Sequence, residues 1–223
     1  MTTNDEPTID MDDDYDDITT PEEVLRKMTL MWQNELCAPC LLPSQMELVD
    51  ILLDQIQGME DDISRQRDKM QLRISLHRSE LQRISFLTSD YVRCRLRKIE
   101  ANPNDVIEQH NLRKNDATNP IELLSETELK FAEEYALAEA ELFEKTVIEF
   151  MPVALKKIPV PKPDLKNDMV YAKVLDDDVG NVTVTDWRDL NAELVLEMEK
   201  SSCHLIPFES VKPYVEEGKM QLL

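Results

Sequence analysis

Two cysteines separated by two residues, Cys37 and Cys40, form the one motif of this sequence that invites an enzymatic interpretation. A C-x-x-C pair at the N-terminus of a helix has a lowered thiol pKa and supports disulfide exchange. Here the pair follows a helical pattern, at the end where the helix dipole disfavours a thiolate. No strand pattern precedes it to build a thioredoxin-like unit. The sequence therefore argues against a thiol oxidoreductase.

A zinc site built on the same pair would need two further ligands. Cys203 and His204 are adjacent in sequence, so their side chains are poorly placed to close a tetrahedron, and His77 and His110 lie far away. The sequence also lacks a glycine-rich phosphate loop, a G-x-S-x-G elbow and an H-E-x-x-H motif. We expect a protein that is not an enzyme, with no catalytic or metal-binding residues and no cofactor.

A basic stretch from Arg65 to Lys98 carries ten lysines and arginines against three acidic residues, in a chain whose formal net charge is -21. Nucleic-acid binding would need stacking aromatics in this stretch, which contains only Phe86 and Tyr91. Arginines also pair with carboxylates on neighbouring helices. We favour helix packing for this stretch and keep direct nucleic-acid binding by residues 65–98 as the alternative function.

The overall composition favours helices, since glycine is scarce at 3 residues and aromatics make up only 5%. No apolar run approaches the roughly 20 residues that span a bilayer. The acidic N-terminus is unlike a secretory signal, and four scattered cysteines do not form a secreted disulfide framework. We expect a soluble intracellular protein with reduced thiols and no membrane contact.

The first 23 residues hold ten acidic side chains and no basic one. Such a block repels itself, which predicts a disordered acidic tail over residues 1–19. The tail is either a solubilising segment or a short docking peptide around Tyr15 to Ile18.

Capping-box patterns predict three helix starts, at Thr20 to Glu23, Ser44 to Glu47 and Ser125 to Glu128. The first helix spans about 17 residues before Pro39, and the basic stretch lies on a further helix of roughly 30 residues that ends before Pro103. Residues 101–124 lack periodicity and predict a long loop. The last long helix runs from Ser125 until Pro152 stops it.

Each predicted long helix carries a wide apolar stripe, and the few predicted elements have limited means to bury all of these stripes against one another. Stripes left uncovered imply partner helices.

Closely spaced prolines from Pro159 to Pro163 indicate an extended connector and a domain boundary. Beyond it, patterns predict a short helix from Ser210 to Glu217 and four strands, at Met169 to Leu175, Val182 to Thr185, Cys203 to Phe208 and Met220 to Leu223. An acidic turn containing Gly180 joins the first two strands. The fold class is mostly α, with an N-terminal bundle of long helices followed by a small β-rich C-terminal domain. The predicted divisions are an acidic tail (1–19), a helical domain (20–152), a Pro-rich linker (153–165) and a β-rich domain (166–223).

The basic helix contains the run Tyr91-Val92-Arg93-Cys94-Arg95-Leu96-Arg97-Lys98-Ile99-Glu100. Further marks are Trp32-x-Asn34-Glu35-x-x-Ala38-Pro39, Val160-Pro161-Lys162-Pro163 and the terminal Gln221-Leu222-Leu223. In their order and spacing these motifs, which extend from about Thr20 to the C-terminus, resemble the Sld-five family, subunit four of the GINS complex of eukaryotic DNA replication.

The resemblance implies a helical A domain followed by a small β-rich B domain. It implies a non-catalytic structural subunit of a nuclear heterotetramer with the three other GINS subunits. In that family the tetramer joins the minichromosome maintenance helicase ring and its cell-division-cycle accessory protein in the replicative helicase, the CMG complex. The helicase serves initiation and fork progression, and this subunit's contact with DNA would be indirect.

The resemblance also implies structural roles for particular residues. Packing within and between subunits would involve Tyr91, Arg93, Arg95 and Lys98. Trp32 and Asn34 would brace the first helix, and Leu222 and Leu223 would help to anchor the B domain on the complex.

Some relatives dock an acidic N-terminal peptide onto a trimeric replisome hub, and Asp14-Tyr15-Asp16-Asp17-Ile18 loosely resembles that peptide. The chain departs from the pattern because the leucine-rich continuation is missing and Pro21 restarts a helix within three residues.

Overall fold

The structure is a computed structural model that describes residues 20–65, 71–115, 122–156, 160–185 and 193–223. The acidic tail predicted for residues 1–19 lies outside the described residues, as do Arg67 and Lys69 of the basic stretch. In the described part of the chain, no helix is both long enough and apolar enough to cross a membrane.

Among the residues described, five α-helices precede the C-terminal sheets, and their bounds are α1 Pro21–Cys37, α2 Met46–Arg65, α3 Leu72–Ala101, α4 Pro103–Asn115 and α5 Glu126–Thr146. Short 3₁₀ turns follow at Ile148–Phe150 and Val153–Leu155. The C-terminal part consists of β1 Met169–Val174, a 3₁₀ turn at Asp177–Val179, β2 Asn181–Thr185, β3 Glu193–Glu197, β4 Cys203–Pro207, α6 Phe208–Glu216 and β5 Met220–Leu222. The predicted fold class, a mostly helical bundle followed by a small sheet domain, is confirmed.

Two of the three predicted capping boxes form as expected. The Thr20 side chain accepts a hydrogen bond from the backbone N–H of Glu23, whose carboxylate accepts one from the backbone N–H of Thr20. Ser125 and Glu128 make the same reciprocal pair at the start of α5. These bonds satisfy backbone donors that the first helical turn leaves free.

The capping box predicted at Ser44 is wrong. The α2 helix begins at Met46, and the Ser44 hydroxyl is buried with no hydrogen-bond partner among the residues that the structure describes. The Ser44 N–H donates instead to the Glu122 carbonyl, and the Gln45 N–H donates to the Tyr91 hydroxyl. Tertiary hydrogen bonds therefore replace the local capping pattern.

The long loop predicted for residues 101–124 is also wrong, because Pro103–Asn115 forms α4. Proline suits the first helical position, and Pro103, Val106 and His110 lie one or two turns apart on a buried face. A histidine on an apolar face concealed the helical period from sequence patterns.

The last long helix is shorter than predicted, since α5 ends at Thr146 and not at Pro152. Thr146, Val147 and Ile148 are three consecutive β-branched residues, which lowers helix propensity before the proline is reached. A 3₁₀ turn follows immediately.

All four predicted strands are present, but their connectivity differs from the prediction. β1 pairs antiparallel with β4 and β5 in a three-stranded sheet, whereas β2 pairs with β3 in a separate antiparallel pair. The segment after β1 therefore does not form a hairpin. The β3 strand is an addition to the four strands predicted from the sequence.

The C-terminal core combines the inner face of the sheet with α6. Phe208, Val211 and Val215 of α6 pack against strand residues such as Ile206 and Leu222. Gly218 adopts φ +74° where α6 ends, a conformation that favours glycine.

The core of the sheet domain also includes Ala38, Cys40 and Leu42, which follow α1. The two parts of the chain therefore share apolar contacts across the predicted division, and the exact bounds 20–152 and 166–223 stay a prediction.

Candidate functional site

Arg95 occupies the centre of the helical part, with a side chain that has no solvent exposure. Its Nε and Nη2 donate to the two carboxylate oxygens of Glu128, at 2.7 and 2.9 Å. Its Nη1 donates to Glu35 Oε2 at 3.1 Å and to the Leu42 carbonyl at 2.7 Å. Nη2 also donates to the Leu123 carbonyl at 2.9 Å. The guanidinium thus ties α3 to α1, to α5 and to the two segments that precede α2 and α5.

Lys98 extends the same arrangement by one helical turn. Its ammonium group donates to Glu35 Oε1 at 2.7 Å and to the Cys40 carbonyl at 2.9 Å. Glu35 therefore bridges Lys98 and Arg95 while also accepting from the Leu42 N–H at 3.3 Å. We call Glu35, Arg95, Lys98 and Glu128 the arginine junction, a cluster of two cations and two carboxylates.

The electrostatics of the Arg95–Glu128 pair favour its charged state. Burial alone would raise the pKa of Glu128, but hydrogen bonds from Arg95 and the positive charge of Arg95 lower it below its ordinary value. Burial would lower the pKa of Arg95, and its bonds to Glu128 raise it instead. Each charge is thus stabilised by its partner, which is what a buried ion pair requires.

Tyr91 lies one turn before Arg95 and is also buried. The Arg95 guanidinium lies 5.6 Å from the centroid of the Tyr91 ring. Burial raises the pKa of the Tyr91 hydroxyl to about 12, so this hydroxyl stays neutral and accepts from Gln45. Arg93, two residues before Arg95, points to the opposite side and is exposed.

Asn34 connects α1 to the C-terminal strand. Its amide Nδ2 donates to the Met220 carbonyl at 3.2 Å, and its Oδ1 accepts from the Leu222 N–H at 2.8 Å. The Asn34 side chain is fully buried and Leu222 lies in the core of the sheet domain, whereas Leu223 is half exposed. Asn34 thus bridges α1 and β5 within this chain, and the bracing role implied by the resemblance stays a prediction.

Trp32 belongs to the other face of α1. Its indole Nε1 donates to Asp90 Oδ2 of α3 at 2.9 Å, and its ring packs against the core shared by α1, α2 and α3. Six of the eight predicted residues are therefore held by contacts within this chain, while Arg93 and Leu223 are exposed. The assignment of all eight to contacts between subunits stays a prediction.

Sequence motifs did not reveal the acceptors of the arginine junction. In the sequence, Glu35 belongs to the motif that begins at Trp32, and Glu128 belongs to the capping box of α5; neither motif points to Arg95. The signal in Glu128 was ambiguous because one carboxylate both caps its own helix and binds Arg95.

Cys37 and Cys40 do not form a disulfide, and Cys40 is buried in the core of the sheet domain. Burial raises the pKa of both thiols above the ordinary value, with Lys98 opposing that rise. Such thiols are poor nucleophiles at neutral pH. Among the residues that the structure describes, no group of three or more His, Cys, Asp or Glu side chains could hold a metal ion.

The described basic residues of the stretch 65–98 divide into those with a carboxylate partner and those without one among the described residues. Arg65 belongs to the first set, since it pairs with Asp62 at the exposed end of α2. Arg95 and Lys98 are committed to the junction, and Arg83 pairs with Glu80 on the surface of α3. Arg73, Arg78, Arg93 and Arg97 are exposed.

A large apolar surface remains uncovered beyond the junction. We call residues 137–155 the α5 arm, since this end of α5 and the following turns expose many large apolar side chains: Leu137, Leu142, Phe143, Val147, Phe150, Met151, Val153 and Leu155. Further exposed apolar side chains are Leu53 on α2 and Leu72 and Leu76 on α3.

Two family models match this chain. The model described as GINS complex protein helical bundle domain matches residues 48–147, and the model described as DNA replication complex GINS protein SLD5 C-terminus matches residues 163–223. Together they cover most of the chain and correspond to its helical and sheet parts.

Curated relatives match nearly the full length. The DNA replication complex GINS protein SLD5 of Homo sapiens is 35% identical over 211 residues, which cover 92% of each chain. The proteins of the same name from Mus musculus and Arabidopsis thaliana are 34% and 30% identical, covering 92% and 94% of this chain and 92% and 95% of their own. On these matches, this chain belongs to the SLD5 family of DNA replication complex GINS proteins.

Proposed function

We propose that this chain is a non-catalytic structural subunit of the GINS complex, and that its uncovered helical surface binds the other subunits. The observation that carries the proposal is the α5 arm. Its apolar side chains are too many and too exposed for a chain that works alone, since large contiguous apolar patches mark sites of protein association.

The α5 arm is exposed because nothing in the described part of the chain packs on the second half of helix α5. Leu142 is 60% exposed, Leu137 is 64% exposed and Phe150 is 79% exposed. The first half of α5 is held by Glu128 and by Ala132, which is fully buried. One end of the helix is therefore anchored while the other presents apolar surface to a partner.

The buried arginine junction also supports a role as a structural subunit, because it positions the helices that present apolar surface to partners. A helix that presents apolar surface to partners has to be positioned without help from them, and Arg95 fixes α1, α3 and α5 in one arrangement. We infer that Tyr91, Arg95, Lys98, Trp32 and Asn34 act by holding this scaffold. Arg93 and Leu223, being exposed, are the members of the predicted set that are free to contact another subunit.

The partners follow from the family. The relatives are named as GINS proteins of a DNA replication complex, and we propose a heterotetramer with the three other GINS subunits. We further propose that the tetramer acts in the nucleus with the minichromosome maintenance ring and its cell-division-cycle accessory protein, as the replicative helicase for initiation and fork progression.

Direct nucleic-acid binding is the weaker candidate. The arginine junction uses Arg95 and Lys98 internally, so the basic stretch offers less free charge than its sequence indicates. The exposed arginines that remain lie in a chain of net charge -21, which repels a phosphate backbone. DNA contact by this subunit is therefore proposed to be indirect.

Co-expression with the three sister subunits tests the proposal. The variant Leu137→Glu/Leu142→Glu places two charges on the α5 arm, and we expect at least about a tenfold loss of co-purified complex, because burying each leucine is worth about 1.5 to 3 kcal/mol. Lys130→Glu is the matched control, since it adds negative charge to the exposed start of the same helix without removing apolar surface.

Two results would contradict the proposal. One is a wild-type chain that is a stable compact monomer by light scattering and does not co-purify with the sister subunits. The other is normal assembly of the double glutamate variant.

A further inference from the structure

The segment that follows α1, residues 38–42, contributes side chains to two different cores. Ala38, Cys40 and Leu42 are buried in the core of the sheet domain. Leu41 is buried instead in the core that α3, α4 and α5 share. The side chains at positions 40, 41 and 42 therefore alternate between the two cores, as they do along an extended backbone.

The backbone of the same segment is held by the arginine junction. Lys98 Nζ donates to the Cys40 carbonyl at 2.9 Å, and Arg95 Nη1 donates to the Leu42 carbonyl at 2.7 Å. Glu35 Oε2 accepts from the Leu42 N–H at 3.3 Å. Hydrogen bonds to charged groups are stronger than those between neutral groups. The ion pairs of the helical part thus fix the backbone of a segment whose side chains complete the sheet domain.

Other contacts also join the two parts of the chain. Asn34 binds the backbone of β5, and Arg113 of α4 pairs with Glu216 of α6. None of these contacts adds an apolar side chain to the core of the sheet domain. Among the described residues of the helical part, the buried members of that core all lie in the segment 38–42.

We propose that residues 38–42 couple the arginine junction to the sheet domain, so that the ion pairs of the helical part control the opening of the C-terminal sheet. Loosening the junction releases the backbone of the segment and withdraws Cys40 and Leu42 from the sheet core. Because Glu128 of α5 also belongs to the junction, one cluster holds both the α5 arm and the sheet domain. Binding that immobilises α5 therefore protects the sheet from local opening, since coupling between two regions acts in both directions. This inference goes beyond the proposed assembly function and rests on contacts within the chain.

Hydrogen exchange of the full-length chain, measured by mass spectrometry, tests the coupling in Lys98→Met. The substitution removes the bond to the Cys40 carbonyl, whereas Arg95 keeps its bonds to Glu128 and to the Leu42 carbonyl. The reporter is β1, whose strand neighbours are β4 and β5 and not the segment 38–42. We expect the amides of β1 to exchange at least about fivefold faster. Arg97→Met is the matched control, an exposed neighbour on the same helix, and it should leave this exchange within about twofold of wild type.

A second helical variant separates coupling from a general loss of stability. Leu52→Ala removes a buried side chain of α2 from the core shared by α1, α2 and α3, which does not include the segment 38–42. We expect faster exchange in α2 and little change in β1. An acceleration in β1 equal to that of Lys98→Met would show that the whole chain opens together and would overturn the proposal, as would unchanged β1 exchange in Lys98→Met.

The reverse direction is tested from the sheet domain with Val211→Ala, which leaves the junction intact and keeps the proposal testable if Lys98→Met does not fold. Val211 of α6 is buried in the sheet core. We expect the amides of residues 40–42 to exchange at least about threefold faster in this variant. Val24→Ala, the same change in the core of α1, α2 and α3, is the matched control and should not alter them. Amides 40–42 that do not respond to Val211→Ala would also overturn the coupling. Assembly is measured separately by co-purification, so failure here leaves the proposed function standing.

Discussion

Replacing Arg95 by methionine is the sharpest test of the arginine junction. Methionine keeps much of the side-chain volume but removes the charge and all five donated hydrogen bonds. Glu35 retains Lys98 and the Leu42 N–H, so it stays partly compensated. Glu128 retains its capping contacts with Ser125 alone. The cost therefore falls mainly on a buried, poorly compensated Glu128 carboxylate.

Breaking a buried ion pair by removing one partner costs about 3 to 5 kcal/mol. Taking about 4 kcal/mol, and about 2 to 4 °C in melting temperature for each kcal/mol in a protein of this size, we expect the melting temperature to fall by about 8 to 16 °C. The measurement is thermal and urea unfolding followed by circular dichroism. Arg93→Met is the matched control, an exposed arginine on the same helix, and we expect a change within about 0.5 kcal/mol.

A second substitution at Glu128 distinguishes a buried charge from simple loss of packing. Arg95→Met/Glu128→Gln removes the uncompensated carboxylate, while glutamine still accepts the capping bond from Ser125. We expect the double variant to be about 1 to 3 kcal/mol more stable than Arg95→Met alone. If glutamine destabilised the methionine variant further, or if Arg95→Met differed from Arg93→Met by less than about 1 kcal/mol, the electrostatic account of the junction would be refuted.

Three further outcomes follow from the structure. Asn34→Ala removes both side-chain hydrogen bonds to β5, so we expect faster amide hydrogen exchange at Leu222, measured by mass spectrometry. The control Gln33→Ala loses only a contact with Gln221 and should change this exchange little. Unchanged exchange in Asn34→Ala would contradict the bridge. Folding lowers the pKa of Glu128, so the contribution of this carboxylate to the free energy of unfolding is complete above its unfolded pKa of about 4.3 and is lost as pH falls through its folded pKa. In urea titrations, the stability difference between wild type and Glu128→Gln should therefore shrink below about pH 4. A difference that stayed constant with pH would be inconsistent with an ionised Glu128. Burial raises the pKa of the Cys40 thiol and shields it, so iodoacetamide should modify exposed Cys203 at least about tenfold faster in the native protein; equal rates would show that Cys40 is accessible.

Sequence patterns predicted the structure correctly at positions where residues close together in the chain determine it. The capping boxes at Thr20 and Ser125 act over three residues, so they are recognisable without the fold. The run from Tyr91 to Glu100 pointed to the SLD5 family, and that resemblance is confirmed by the family models and relatives.

The errors came from places where long-range contacts override local patterns. The Ser44 pattern looked like a cap, but its backbone binds Glu122 and the following residue binds Tyr91. The α4 helix has a buried histidine where a periodic pattern expects an apolar residue. The β1 and β2 strands looked like neighbours in a hairpin, yet β1 pairs with β4 and β5.

By itself, the sequence determined the mostly helical fold class, the starts of α1 and α5, four strands of the C-terminal domain and the family. These features depend on composition and on spacings of a few residues. Only the tertiary structure decided what Arg95 does, since its carboxylate partners lie 60 and 33 residues away, on helices whose approach no local pattern specifies. A basic stretch in an acidic chain looks alike whether its charges face solvent or the core. The packed fold buries Arg95 completely, leaves Lys98 partly exposed beside it, and leaves Arg93 on the surface.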